Sequence, residues 1–111
     1  MSGLLFLGCV QKSYQQTVIY TLRINNIKDI RTVGIRGNDK PLSWDYDTSL
    51  ETVKKDSLYQ LKVTYNTGYK FTEVKFTVNG EYELQNQPNR RVEFDTSKFT
   101  HYNAVFNELK K

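Results

Sequence analysis

The chain has 111 residues, a length that accommodates one domain built around one hydrophobic core. Apolar residues make up 38% and charged residues 25%, which is ordinary globular usage and excludes wholesale disorder, and the 14% aromatic share favours a β-rich fold. The net charge is +4, yet the basic residues are scattered among acidic and polar ones without a basic stripe or an RNA-binding motif. We therefore expect no nucleic-acid partner.

The chain begins with an apolar run, Leu4 to Leu7, which is followed by Gly8 and Cys9. This order resembles the bacterial lipobox, in which the cysteine is lipidated and becomes the mature N-terminus. The resemblance implies cleavage before Cys9, a lipid anchor in a membrane, and a location in the bacterial cell envelope, at the outer membrane or the cell surface. Residues 1–16 would then be a signal remnant and tether, and residues 17–111 the folded domain.

Two features of this segment depart from a complete secretory signal. Only eight residues precede Cys9 and none of them is charged, so we expect the true start to lie upstream of Met1. The alternative is an unprocessed apolar tail or a strand, with Cys9 acting as a small hydrophobic residue. Cys9 is the only cysteine, which excludes an intrachain disulfide, and no segment is long enough to span a bilayer.

Period-two alternation predicts the first strands. Apolar side chains occupy the even positions of residues 17–24, while Thr21 and Arg23 fall on the other face. A second strand is predicted over residues 32–36 and ends at the turn cluster Gly37-Asn38-Asp39. Residues 40–56 show no sustained period and are interpreted as a long loop with a short strand at residues 50–53; loops of this length are often functional.

The second half of the chain shows the same alternation over residues 58–65 and 71–78. Phe71 has the opposite parity to the apolar residues that follow it, so the pattern predicts either a bulge near Thr72 or a strand that begins after Phe71. Asn79-Gly80 is a type I′ hairpin signal that leads into residues 81–84. Residues 91–94 and 102–106 supply the last two strands. The whole pattern predicts an all-β fold, an immunoglobulin-like antiparallel β-sandwich of about seven strands.

Four segments in this order resemble the family-20 carbohydrate-binding module, the starch-binding domain. They read VGIRGN at residues 33–38, PLSWD at 41–45, EVKF at 73–76 and QPNRRV at 87–92. The resemblance covers roughly residues 17–94. It implies non-catalytic binding of starch-like α-glucan by the sandwich, so that the partner would be a polysaccharide or oligosaccharide.

The resemblance also implies a sugar site. Trp44 matches a stacking tryptophan, Lys75 a lysine that donates to sugar hydroxyls, and Asn89 the asparagine of a Pro-Asn-Arg turn. An aromatic ring offers a flat apolar platform for the C–H face of a glucose ring, and convergent polar groups then fix its orientation. Each residue also has an alternative role without a ligand. Trp44 could pack in the protein interior, Lys75 could be a solvated residue on the outer face of its strand, and Asn89 could only stabilise its turn.

One departure from the family pattern concerns the second stacking position. The family's second tryptophan aligns with Leu84, and the acidic residue after it aligns with Gln85, which we keep as a candidate sugar-binding residue. Tyr82 is the candidate replacement ring if the hairpin shifts its register. With a single platform, we expect weak binding or a different glycan.

We expect no catalysis, no metal and no cofactor. The only histidine, His101, lies in a C-terminal strand, and no nucleophile–base set or metal-ligand spacing can be built around it. Asp45 and Asp47 are interpreted as turn formers of a polar loop rather than a glycosidase pair. Two other functions remain open: a protein-interaction or assembly module that has lost its sugar site, and the targeting module of a larger carbohydrate-active enzyme.

Overall fold

The computed structural model describes residues 12–109, and this part of the chain is an all-β sandwich of two sheets. Cys9 and the lipobox segment lie outside the described residues. Nine strands follow one another, namely β1 (Tyr14–Arg23), β2 (Val33–Gly37), β3 (Thr48–Ser49), β4 (Glu51–Lys54), β5 (Leu58–Thr67), β6 (Phe71–Val78), β7 (Glu81–Tyr82), β8 (Arg90–Glu93) and β9 (Phe99–Val105). The strand number exceeds the predicted seven, and the strand without a predicted counterpart is the two-residue β3.

One sheet has the strand order β4-β5-β1-β9, and the other has the order β3-β2-β6, with both β7 and β8 pairing with β6. All pairs are antiparallel except one, because β9 runs parallel to β1 from Thr17↔Phe99 to Arg23↔Val105. The first and last strands of the domain are therefore neighbours that point in the same direction. No helix of the described residues is long and apolar enough to cross a membrane.

The alternation predicted for the first strand is confirmed, since Val18, Tyr20, Leu22 and Ile24 all face the core. The strand begins at Tyr14 rather than residue 17, because Tyr14 to Gln16 continue the antiparallel register with β5. Part of the segment that we expected to be a tether therefore belongs to the sheet.

The core lies between the two sheets and contains a buried polar pair. The hydroxyls of Tyr20 and Tyr65 lie 2.7 Å apart and share a hydrogen bond. The Tyr20 ring also makes an edge contact with Phe76 of the other sheet, at a centroid distance of 6.1 Å. Burial raises the pKa of both tyrosines above the ordinary value. The hydrogen bond links two neighbouring strands of one sheet, and the aromatic contact with Phe76 joins this sheet to the other.

The structure corrects both predictions made for the start of β6. The strand includes Phe71, and its register with β8 runs without a bulge from Phe71↔Glu93 to Val74↔Arg90. Phe71 has the opposite parity to the core-facing residues of β6 because its side chain faces outward. There, the guanidinium of Arg91 lies 3.6 Å from the centroid of its ring. A cation on its exposed face allows an aromatic side chain to occupy a solvent-facing position.

The predicted Asn79-Gly80 hairpin is confirmed, with φ values of 52° and 81° that match a type I′ turn. Its regular register places Tyr82 opposite Thr77. Opposed residues of a strand pair share a face, and so do residues two apart on one strand. Tyr82 therefore emerges on the same outer face of the sheet as Lys75, and the pair Arg36↔Lys75 brings Arg36 there too.

Candidate functional site

One pocket of about 260 Å³ collects all five side chains that the sequence predicted for the sugar site. It lies over the outer face of the sheet that contains β2 and β6. Its lining residues are Trp44, Lys75, Tyr82, Glu83, Gln85, Asn86 and Asn89. Sequence reasoning missed Glu83 and Asn86, since nothing in the order of residues 83–86 tells which of these side chains face one another.

Trp44 is half-buried and lies outside the hydrophobic core. It belongs to the loop of residues 38–47 between β2 and β3, called here the Trp44 loop. Its indole Nε1 donates to Oδ1 of Asn38 over 3.4 Å. The Tyr82 ring lies 6.4 Å away between centroids, with an angle of 53° between the ring planes. The pocket thus has two tilted aromatic walls.

Gly34 allows the Trp44 loop to lie directly on the sheet. A Cβ at this position would stand 2.8 Å from Cβ of Asp47 and 2.8 Å from Oγ1 of Thr77. Both distances are far below van der Waals contact, so any side chain here would push the loop away from β6. The absence of a Cβ is therefore what positions the wall that carries Trp44.

Arg36, on β2, holds the Trp44 loop in place through hydrogen bonds. Its Nε donates to Oδ1 of Asp47 over 2.8 Å, and its Nη1 donates to the Trp44 carbonyl oxygen over 2.9 Å and to the Tyr82 hydroxyl over 3.3 Å. The hydrogen bonds to Asp47 and Tyr82 raise the pKa of the guanidinium, which stays charged. One arginine thus holds both aromatic walls, and Asp47 serves this ion pair.

Leu84 does not occupy a stacking position. Its side chain is 0% exposed, and its backbone takes a left-handed φ of 52°. That conformation is rare for a branched side chain and persists only where the surroundings impose it. Tyr82 supplies the second ring instead, and it does so in the regular hairpin register rather than through the register shift that the sequence had suggested.

Lys75 supports the loop of residues 83–89, called here the Leu84 loop. Its ammonium donates to the carbonyl oxygens of Leu84 over 3.1 Å and of Gln87 over 3.0 Å. On the other side of the loop, the Leu84 amide donates to Oδ1 of Asn107 over 2.8 Å. An ammonium carries three protons, so Lys75 keeps one donor for the pocket.

The side-chain amides of the pocket are oriented by neighbours. Nδ2 of Asn89 donates to Oε1 of Glu73 over 3.1 Å, and Nε2 of Gln85 donates to the Tyr82 carbonyl oxygen over 2.9 Å. Each amide retains its own oxygen as an acceptor and one further proton as a donor. Such groups can accept from and donate to the same hydroxyl-rich ligand.

A buried ion pair underlies the Leu84 loop. The Arg90 guanidinium makes two hydrogen bonds of 2.7 and 2.8 Å to the Glu83 carboxylate, and its Nη2 also reaches the Val105 and Glu108 carbonyl oxygens. Burial lowers the pKa of Arg90, but the bonds to Glu83 and Tyr102 outweigh it and the pKa rises. Both ends of the Leu84 loop are thereby tied to the C-terminal segment.

The residues that line the pocket do not include the histidine. The imidazole of His101 lies on β9 in an edge contact with Phe99, at a centroid distance of 5.2 Å, and takes no part in the pocket. No cluster of His, Cys, Asp and Glu within residues 12–109 is placed to hold a metal ion. The pocket combines two rings, one ammonium and three amides, on a floor that includes the paired Glu83.

Comparison of the chain with protein-family models and with curated proteins returns no match in either case.

Proposed function

We propose that this protein binds a carbohydrate in the pocket between Trp44 and Tyr82 and performs no chemistry on it. The observation that carries the proposal is the shared pocket, in which two aromatic rings and the amides of Gln85, Asn86 and Asn89 border one space. Sugars present apolar C–H faces and hydroxyls that both donate and accept, which is the chemistry that rings and amides complement.

The tilt of the two rings favours a bent glycan. Planes inclined by 53° match successive sugar rings that turn relative to each other, as in an α-glucan, better than the coplanar rings of a flat ribbon. The resemblance of residues 17–94 to starch-binding modules points to the same ligand class. We therefore propose an α-glucan or a similarly curved oligosaccharide as the ligand.

Preorganisation also supports binding. Arg36 holds both walls, Lys75 supports the Leu84 loop, and Glu73 orients Asn89. Groups that are fixed before the ligand arrives lose less conformational entropy on binding. A small, shallow pocket with two rings should still give only moderate affinity, and we expect millimolar to micromolar dissociation constants.

The direct test is titration of the protein with maltoheptaose, followed by intrinsic fluorescence. Trp44 is the only tryptophan, so its emission reports on the pocket alone. Trp44→Phe and Tyr82→Ala should each weaken binding at least about tenfold, because the loss of a central aromatic contact usually has an effect of this size. Binding by Trp44→Phe is measured by calorimetry, since this variant has no tryptophan emission. Tyr46→Ala is the matched control, because Tyr46 is an exposed ring of the same loop that does not line this pocket.

Unchanged emission across maltoheptaose, cellohexaose and xylohexaose, together with equal mobility in gels with and without amylose, would refute carbohydrate binding. The protein-interaction function would then be the better account of the two half-buried aromatic walls. A preference for cellohexaose over maltoheptaose would keep the site but reject the curved ligand.

The proposed anchor is a lipid on Cys9, supported by the order Leu4 to Cys9 of the sequence. Its test is mass spectrometry of the N-terminal peptide after expression of the chain behind its upstream coding sequence in a bacterial host. A diacylglyceryl modification on Cys9 and its loss in Cys9→Ser are expected. An unmodified Cys9 in the membrane-free fraction would reject the anchor without affecting the carbohydrate proposal.

A further inference from the structure

One end of the sandwich gathers exposed aromatic rings and lysines. It is formed by the start of β1, the turn between β5 and β6, the loop at residues 39–40 and the start of β9. Its exposed side chains are those of Lys12, Tyr14, Lys40, Tyr69, Lys70, Lys98 and Phe99. We call this set the basal surface.

Several contacts show that these residues share one end. Tyr14 pairs with Thr67, which directly precedes the turn that carries Tyr69. Lys12, Lys40 and Tyr69 line one hollow. The ammonium of Lys98 lies 4.5 Å from the centroid of the Tyr14 ring.

The exposure of the rings is unusual for the molecule. Tyr14 is 42% exposed, Tyr69 60% and Phe99 46%. The other exposed large hydrophobic side chains of the described residues are Tyr46 on the Trp44 loop, Val53 on β4 and Leu109 near the C-terminus. Three of the four exposed aromatic rings in this part of the chain thus lie at the basal surface.

The charges at this end favour an anionic partner. Apart from the ion pair of Glu93 with Arg91, the four lysines stand against two carboxylates, and one of these, Asp39, accepts a 2.6 Å hydrogen bond from Thr72. The other, Asp95, accepts from the Ser97 amide over 2.9 Å. Glu93, at the same end of β8, is paired with Arg91 over 2.8 Å. Lysine side chains that surround exposed aromatic rings match the headgroup layer of an anionic bilayer, where rings partition and lysines meet phosphates.

The chain's own order places this surface close to any membrane that holds its apolar start. The run Leu4 to Leu7 precedes Lys12 by only a few residues, and Cys9 and Lys12 can be separated by at most about 10 Å of extended chain. We propose that the basal surface docks onto an anionic lipid bilayer, with Tyr14, Tyr69 and Phe99 in the headgroup layer. The docking goes beyond carbohydrate binding and does not depend on it.

The docking fixes the direction in which the sugar pocket faces. β6 begins at the basal end with Phe71, and Lys75 lies four residues further along the strand, which is about 13 Å at the usual rise. The pocket opens on the outer face of the sheet, along the flank of the sandwich. A docked molecule therefore presents its pocket sideways, close above the lipid surface.

The test is cosedimentation of the full chain, expressed without lipidation, with vesicles of phosphatidylglycerol and phosphatidylcholine, and with vesicles of phosphatidylcholine alone. We expect binding to the anionic vesicles that falls as salt rises. Lys40→Ala with Lys98→Ala should reduce the partition coefficient about thirtyfold. Lys54→Ala with Lys55→Ala removes the same charge from the opposite end and should reduce it less than about threefold.

Equal losses in the two double variants would mean that net charge alone drives binding and would overturn the proposal. Undiminished binding in both double variants would also overturn the proposal, because the apolar N-terminal run alone would then suffice for membrane binding. A second readout uses the Cys9→Ser background with a polarity-sensitive dye on Tyr69→Cys or on Val53→Cys. Anionic vesicles should shift the emission of the dye at position 69 to the blue and leave that at position 53 unchanged; equal shifts would contradict docking by this surface.

Discussion

The guanidinium of Arg36 donates a 2.9 Å hydrogen bond to the carbonyl oxygen of Trp44, eight residues away along the chain. This bond lies behind the proposed sugar platform rather than within it. It couples the position of the only tryptophan to a residue in the sheet. Arg36 is therefore a positioning residue for the pocket.

We predict that Arg36→Lys weakens maltoheptaose binding about tenfold while the protein stays folded. A lysine cannot reach Asp47, the Trp44 carbonyl and Tyr82 together, because it lacks the planar fork of the guanidinium. Titration with maltoheptaose and a thermal melt by circular dichroism measure the two quantities. Arg23→Lys, an exposed arginine of the other sheet, serves as the control; wild-type affinity in Arg36→Lys would remove the positioning role.

We predict that Gly34→Ala destabilises the fold and also weakens glycan binding. The new methyl group would stand 2.8 Å from both Asp47 Cβ and Thr77 Oγ1, so the Trp44 loop must move outward. Overpacking of this kind typically costs about 1–3 kcal/mol. Urea unfolding and the maltoheptaose titration test both effects. Gly37→Ala is the comparison, since its Cβ would meet side-chain atoms at 3.0 Å and the affinity should change less.

The ion pair between Glu83 and Arg90 leads to a prediction about stability. Both side chains are buried, so Glu83→Gln leaves a guanidinium without its counter-charge. Removing one partner of a buried pair usually costs about 3–5 kcal/mol. Urea unfolding should show a loss of this order. The exposed pair Arg91–Glu93 provides the control, because Glu93→Gln should change stability by less than about 1 kcal/mol.

The hydroxyl pair of Tyr20 and Tyr65 predicts non-additive substitutions. Tyr65→Phe leaves the Tyr20 hydroxyl buried without its 2.7 Å partner, which should cost about 1–3 kcal/mol. Tyr20→Phe with Tyr65→Phe removes both polar groups and should be less destabilising than the sum of the single changes. A double-mutant cycle by urea unfolding measures the coupling. Simple additivity would mean that the hydrogen bond contributes nothing.

The same pair predicts a loss of stability at alkaline pH. Burial raises the pKa of both hydroxyls in the folded state, whereas the unfolded chain ionises near the ordinary value of 10.0. Above pH 10 the unfolded state therefore binds fewer protons than the folded state, and the free energy of unfolding falls as pH rises. Urea midpoints between pH 9 and 11 should show this decline. The decline should be shallower in the double phenylalanine variant, and equal slopes would contradict the assignment.

Strand positions could be predicted from the sequence where the alternation of apolar residues and the turn residues agree with the folded structure. The alternation of β1 and the Asn79-Gly80 turn both survive in the structure, since a buried face and a turn conformation each depend on a few adjacent residues. Phe71 was predicted wrongly because its outward position depends on Arg91, a residue twenty positions away that covers its ring. The extension of β1 back to Tyr14 likewise depends on pairing with distant residues of β5.

The predicted site residues come together in the structure, but their supports were not predictable. Trp44, Lys75 and Asn89 were predicted from four sequence segments, and all three line one pocket. Arg36 carries no sequence signal for its role, because its three partners come from a loop and a hairpin that meet only in the folded sheet. Lys75 proved to be mostly a support of the Leu84 loop, which a pattern of residue types does not reveal.

Because β9 runs parallel to β1, the polypeptide enters the sandwich at one pole and leaves it at the other. β1 alone has ten residues, a span of about 33 Å at the usual rise per residue. A domain fused after β9 would therefore stand at about this distance from an anchor at the N-terminus. The domain would thus hold its two ends apart by about the length of one strand.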